Sequence, residues 1–396
     1  MRLRHPDGTV IHLAYCTNVH PAEDLDGVLA QLARYAEPVR RRLGAARLGV
    51  GLWLSRTAVT ELTADPEAVA RMRRELDARG LEVVTLNAFP YQGFHAGSVK
   101  KSVYRPDWSE PARLDHTLDC ARLLAALLPH DAARGSVSTL PLAWREEWTA
   151  DRADRAARHL DRLAQGLEAL AADTGRIVRV GFEPEPGCLI ENTEQAVRLL
   201  AAVDPRWLGV CLDCCHTAVG FEDGATACAR LAAEGLPVVK AQVSCALTVD
   251  DPQDPAARAA LWEFAEPRFL HQTRESLGGR LLAVDDLPDA LGGALPGAGP
   301  WRIHFHTPLH ADPRPPLRST RTELPAMLAE LVGGPSPRTD HLEVETYTWS
   351  VLPSATAPRP GGGGPRDADL IDGIAGELAW ARDTLTRLGL KDESTR

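Results

Sequence analysis

Glu183 and Glu185, two residues apart in V-G-F-E-P-E-P-G-C-L (180–189), are the side chains best placed for acid–base or metal chemistry. On a strand, residues i and i+2 share a face, so both carboxylates point the same way. The proline after each acid removes a backbone donor, and regular pairing stops there. Acids at a strand's exit are where a parallel barrel keeps its catalytic groups. The alternative is a charged turn on a solvent edge. Gly181 and Phe182 argue against it by carrying an apolar strand straight into the acids.

Polar residues recur at the same kind of position. Asn87 ends L-E-V-V-T-L-N, Asp213 ends L-G-V-C-L-D with His216 three residues on, and Gln242 sits in K-A-Q-V-S. His304 and His306 alternate in R-I-H-F-H, as do Glu343 and Glu345 in L-E-V-E-T. Asn18, His20, Tyr91 and His95 follow the first and third strands and suit a small polar ligand. Where strand ends converge, several acids repel one another unless a cation neutralises them. Glu183, Asp213, Gln242 and Glu345 offer oxygen alone, which favours a hard divalent ion, manganese or magnesium. Adding His306 brings in cobalt or zinc. In the alternative, the acids pair with rim arginines, Arg179 and Arg302 being near in sequence. His12 and His341 read as hydrogen-bonded core residues.

Apolar runs at 10–15, 48–54, 81–86, 135–140, 177–182, 208–212, 238–243 and 342–344 alternate with helical stretches such as 65–78, 111–128 and 151–174. That alternation predicts an α/β fold, a parallel sheet covered by helices. Eight units predict a (β/α)8 TIM barrel occupying 1–396 as a single domain. A doubly wound sheet is the rival, but no G-x-G-x-x-G follows the first strand. Residues 250–300 break the rhythm and read as an insertion between strands seven and eight, with 301–305 a further strand. Residues 353–366 read as a Pro/Gly-rich loop and 367–390 as a closing helix.

The chain has 396 residues, 44% apolar and 25% charged, with a net charge of -10. That balance, without a basic run, argues against nucleic acid as a partner. No apolar stretch is long enough to span a bilayer and no signal pattern opens the chain, so a cytoplasmic protein without membrane insertion is expected. Eight scattered cysteines, several in apolar runs, suit reduced buried thiols. Neither a phosphate-binding loop nor a G-x-S-x-G is present.

At these residues the chain resembles the xylose-isomerase-like barrels, the sugar isomerase/epimerase superfamily that includes endonuclease IV. The resemblance implies a divalent ion held by Glu183, by Asp213 of the D-x-x-H ending in His216, by the strand-seven residue and by Glu345. Histidine is usual on strand seven and Gln242 stands there instead, which leaves metal identity and activity open. Longer runs, among them H-L-A-Y-C-T-N-V-H-P, T-L-N-A-F-P-Y-Q-G-F-H, E-P-E-P-G-C-L-I-E-N-T, R-I-H-F-H-T-P and L-E-V-E-T-Y-T-W-S-V-L-P, resemble the metabolite traffic protein EboE family over nearly the whole chain. That likeness implies a secondary-metabolite pathway, a small polar metabolite of sugar or cyclitol type as ligand, and other proteins of the same operon as partners.

The expectation is a divalent-metal-dependent isomerase or epimerase. Glu183 and Glu345 would exchange a proton at the carbon between a carbonyl and a hydroxyl, through an ene-diolate held by the ion. His216, Glu185, His304, His306, Asn87 and Glu343 would bind substrate. A metal-dependent lyase or hydrolase on the same site is one alternative. A non-catalytic metabolite-binding protein is the other, and Gln242 favours it.

Overall fold

Apolar strands that are buried on both faces need a cover on each, and here helices supply one cover and the barrel interior the other. The computed structural model describes residues 1–353 and 366–394. A short β1 (Arg2–Arg4) precedes β2 (Val10–Cys16), β3 (Leu48–Trp53), β4 (Leu81–Asn87), β5 (Gly135–Thr139), β6 (Val178–Phe182), β7 (Leu208–Asp213) and β8 (Val238–Val243). The chain then leaves the barrel for β9 (Ala246–Val249), β10 (Thr273–Leu277), β11 (Arg280–Val284), β12 (Trp301–His306) and β13 (Arg318–Ser319). It returns as β14 (His341–Val344) and ends in β15 (Lys391–Asp392).

Strands β2 to β8 pair in parallel in sequence order, and β14 pairs in parallel with both β8 and β2, closing an eight-stranded barrel. The fold is the expected (β/α)8 TIM barrel. Register sets the site: Asp213 lies opposite Gln242, Gln242 opposite Glu343, and Glu343 opposite Ala14. Glu343 crosses the interior where Gly51 leaves room, since a Cβ on Gly51 would fall 1.4 Å from Glu343 Oε1.

Helix starts follow their capping residues. Ser55, Asp65, Thr149, Asn192 and Asp223 each accept from a backbone N–H of the first turn. The closing helix, Asp367–Arg387, is held to the first helical region by Arg34–Asp367 and Arg42–Asp372 ion pairs. Its Glu377 is fully buried.

The insertion is larger than the expected 250–300. Strands β9 to β13 form a second, antiparallel sheet in the order β11-β10-β12-β9-β13, and the expected strand at 301–305 is its centre. Of the expected loop at 353–366, residues 354–365 lie outside the described residues. All eight cysteines are free and buried. Among the described residues, no helix is long and apolar enough to cross a membrane.

Candidate active site

The acids read from sequence meet at the C-terminal mouth of the barrel. Glu183 continues β6 by donating its N–H to Thr139 O at 3.0 Å, and Glu345 continues β14 by donating to Val243 O at 3.3 Å. Oxygens of Glu183, Asp213 and Glu345 lie within 4.8 Å of one another. Asp213 Oδ1 accepts from His216 N at 2.7 Å and Ser244 Oγ at 3.0 Å, while Oδ2 is buried without a partner. Glu183 Oε2 and both amide atoms of Gln242 are orphaned in the same way. Glu345 Oε1 accepts from Asn18 Nδ2 at 2.7 Å and Asn87 Nδ2 at 3.0 Å.

Among the described residues, no arginine or lysine forms an ion pair with Glu183, Asp213 or Glu345. Arg302, a candidate rim partner, is engaged by Glu323 and Ala218 O. Burial, and then Glu345 and Asp213, push the Glu183 carboxyl well above its ordinary value. Burial, then Asp213 and Glu343, do the same to Glu345. Orphaned oxygens and mutually repelling acids are what a bound cation would satisfy, so the donor set fits a divalent ion. Glu183, Asp213 and Glu345 would hold it, with Gln242 Oε1 available as a fourth oxygen.

The histidines stand beside this group. His216 Nε2 lies 3.1 Å from Glu185 Oε2 and 3.0 Å from His304 Nε2. Glu185 Oε1 accepts from Tyr104 O–H at 2.9 Å. His306 Nδ1 bonds Glu345 O at 2.7 Å, and its Nε2 is buried and unpartnered. Burial holds His306 down at about 4. His304 and His306 come in together because β12 advances three steps, Ile303 to His306, against one step of β9, a bulge that re-aims the strand.

Above these groups the pocket, about 530 Å³ including its open mouth, is walled by Phe94, Val99, Val103, Phe269 and Tyr347. One side of a ligand would therefore meet apolar surface and the other the acids and imidazoles.

Of the residues expected to bind substrate, Glu185, His216, His304, His306 and Asn87 line this pocket. Asn87 spends its amide on Glu345 and accepts from Phe89 N at 3.0 Å, which makes it a positioning residue. Glu343 is absent from the lining and is paired with Lys240 one layer below, both fully buried. Contrary to the sequence expectation, Glu343 thus stands outside the substrate pocket. Burial opposes the charge on Lys240, but Glu343 outweighs it, so the amine titrates above its ordinary value. Tyr104, Gln272, Ser244 and Tyr347 were not singled out from sequence. Most lie on loops or in the insertion, where no periodicity marks them.

The family profile described as a xylose isomerase-like TIM barrel matches residues 44–251. The chain belongs to this family. The match contains Glu183, Asp213 and Gln242, whereas Glu345 and the insertion histidines lie beyond it. The barrel is similar to a protein of Anabaena variabilis assigned as a sugar phosphate isomerase/epimerase, with TM-score 0.51 and 15% identity over 96% of this chain and 99% of that one. It is also similar to a D-tagatose 3-epimerase-like protein, with TM-score 0.48 and 14% identity over 96% and 100% of the two chains. A further similar structure is the IolI protein with a bound zinc atom, with TM-score 0.44 and 12% identity over 96% and 98%. These likenesses are of fold. No curated protein matches the sequence.

Proposed function

We propose that this xylose isomerase-like barrel is a divalent-metal-dependent isomerase or epimerase of a small sugar- or cyclitol-like metabolite. The observation that carries the reading is the gathering of Glu183, Asp213 and Glu345 in one buried mouth where, among the described residues, no arginine or lysine forms an ion pair with them. A divalent ion held by Glu183, Asp213 and Glu345 would supply Lewis acidity at the substrate. Glu183 and Glu345 serve as the base and acid that move a proton at the substrate carbon. Asn18 and Asn87 hold Glu345 Oε1, fixing the carboxylate's orientation. His216, pinned by Pro184 O, faces the pocket as a hydrogen-bonding group for a substrate oxygen. Manganese or magnesium suits the oxygen donors.

The long sequence runs support a finer placement in the EboE family, with a cytoplasmic setting and a role in secondary-metabolite traffic. Gln242, with both amide atoms orphaned, favours a second reading in which the barrel binds and hands on its metabolite without turnover. Incubation of the manganese-loaded protein with ketoses and cyclitols in deuterated water separates the readings. Deuterium at a single carbon with no other change in composition is expected, and Glu345→Gln should lower the exchange rate at least about 10²-fold while leaving the fold intact. Loss of water from the product would point to lyase chemistry. Binding without exchange would point to a carrier. An unchanged rate in Glu345→Gln would remove the assigned role.

A further inference from the structure

Glu377 is a fully buried acid that the mouth does not contain, on the closing helix packed outside β2 and β14. Its carboxylate takes three donors. Oε1 accepts from Thr346 Oγ1 at 2.6 Å and from Leu309 N at 3.1 Å, and Oε2 accepts from Trp349 Nε1 at 3.0 Å. These donors come from two segments that both build the mouth. Thr346 and Trp349 follow Glu345, and Leu309 follows His306. Along 345–349 the side chains divide: Glu345 and Tyr347 line the pocket, while Thr346 and Trp349 turn away from it to Glu377. On the inner side the two segments are already joined, because Thr348 Oγ1 donates to His306 O and His306 Nδ1 donates to Glu345 O at 2.7 Å. Glu377 joins the same two from the outer side. The helix is shaped for this approach. A Cβ on Gly373 would fall 2.2 Å from the Trp349 ring, and one on Gly376 would fall 3.0 Å from the His310 ring. Both rings therefore lie on a glycine face beside Glu377.

We infer that Glu377 is a positioning residue of the mouth, fixing the 345–349 segment against the exit of β12 and so setting Glu345 and Tyr347 relative to His306. Without its carboxylate, three buried donors lose their acceptor, and the cheapest relief is movement of the segment that carries two of them. That segment also carries a proposed metal ligand, and partners behind a ligand govern its affinity. The closing helix thereby becomes part of the site although none of its side chains enters the pocket. Any consequence for turnover rests on the isomerase or epimerase reading, whereas the consequence for geometry and metal affinity does not.

The test compares full-length wild type with Glu377→Gln, which keeps the volume and one acceptor oxygen but sets an amide N–H against the Trp349 N–H. Hydrogen–deuterium exchange at 345–352 should quicken at least about 10-fold, with β3, β4 and β5 unchanged. Manganese affinity, read by equilibrium dialysis, should weaken about 10-fold, and kcat at saturating manganese should fall by a similar factor. Trp349→Phe removes the opposed donor, so adding Glu377→Gln to it should have little further effect. Wild-type exchange at 345–352 in Glu377→Gln would overturn the inference. So would faster exchange there, or throughout the chain, with manganese affinity unchanged, since that marks a purely structural contact. A wild type that turns over none of the ketoses or cyclitols would defeat the isomerase reading alone, because exchange and metal affinity still decide the role of Glu377.

Discussion

At the N-terminal end of the barrel, the buried Glu82 accepts from Arg2 at 2.7 Å and lies 3.7 Å from His12. Ser136 Oγ bonds Thr85 Oγ1 at 2.9 Å and His341 Nδ1 at 2.7 Å. In the middle layer, Lys240 neutralises Glu343. At the C-terminal mouth, Glu183, Asp213 and Glu345 face one another, and among the described residues no arginine or lysine pairs with them. One interior therefore pairs its acids at the bottom and centre and leaves them opposed at the top. Charge left unmatched in a buried cluster destabilises a fold, and it persists where a ligand supplies the missing partner.

The middle layer depends most strongly on its charge pair. Lys240→Met leaves Glu343 charged and uncompensated and should cost about 3–5 kcal/mol in urea denaturation. The double variant Lys240→Met/Glu343→Leu should recover most of that loss, because it removes both charges. Equal stability of the single variant and the wild type would mean the pair does not hold the layer together.

A smaller effect is expected at the mouth. A divalent ion at a hundredfold excess over its dissociation constant should stabilise the protein by about 2.7 kcal/mol. Glu183→Gln/Glu345→Gln should abolish that gain while leaving the metal-free protein at least as stable as the wild type. A double variant that still responds fully to metal would place the ion elsewhere.

The smallest difference is one of sign with pH. Burial would raise Glu82, but His12 and Arg2 prevail and hold it far below its ordinary value of 4.5. Its contribution is therefore present above that ordinary value and lost as pH falls through the depressed one. Glu183 and Glu345, raised chiefly by burial, behave oppositely in the metal-free protein. Their contribution is present below the ordinary carboxylate range and lost as pH rises through the elevated values. Glu82→Gln should cost about 2 kcal/mol near neutrality and flatten the acid-side loss, read as denaturation midpoints across pH. An unchanged acid limb would show that the bottom network does not set it.

Much of this contrast was legible before folding. Glu183 and Glu185 were recognisable because strand alternation is local. The same alternation could not separate Glu343 from Glu345, which share a face. Lys240, 103 residues away from Glu343, makes that distinction. The sequence marks Asn18 only as a polar group suited to a ligand, since its contact with Glu345 spans 327 residues. The insertion's start was misplaced because β9 follows β8 after two residues, Ser244 and Cys245, with neither glycine nor proline marking where the chain leaves the barrel.

By itself the sequence determined the eight apolar runs, their parallel order and the presence of acids at their exits. Periodicity and capping act over a few residues and need no distant partner. The tertiary structure alone decided which acids are neutralised and which remain opposed. It also decided that a glutamine just ahead of the second sheet, Gln272, meets a mouth histidine, His304, at 2.8 Å. Those outcomes depend on the low-dielectric interior bringing together groups from remote strands, and no local pattern encodes that encounter.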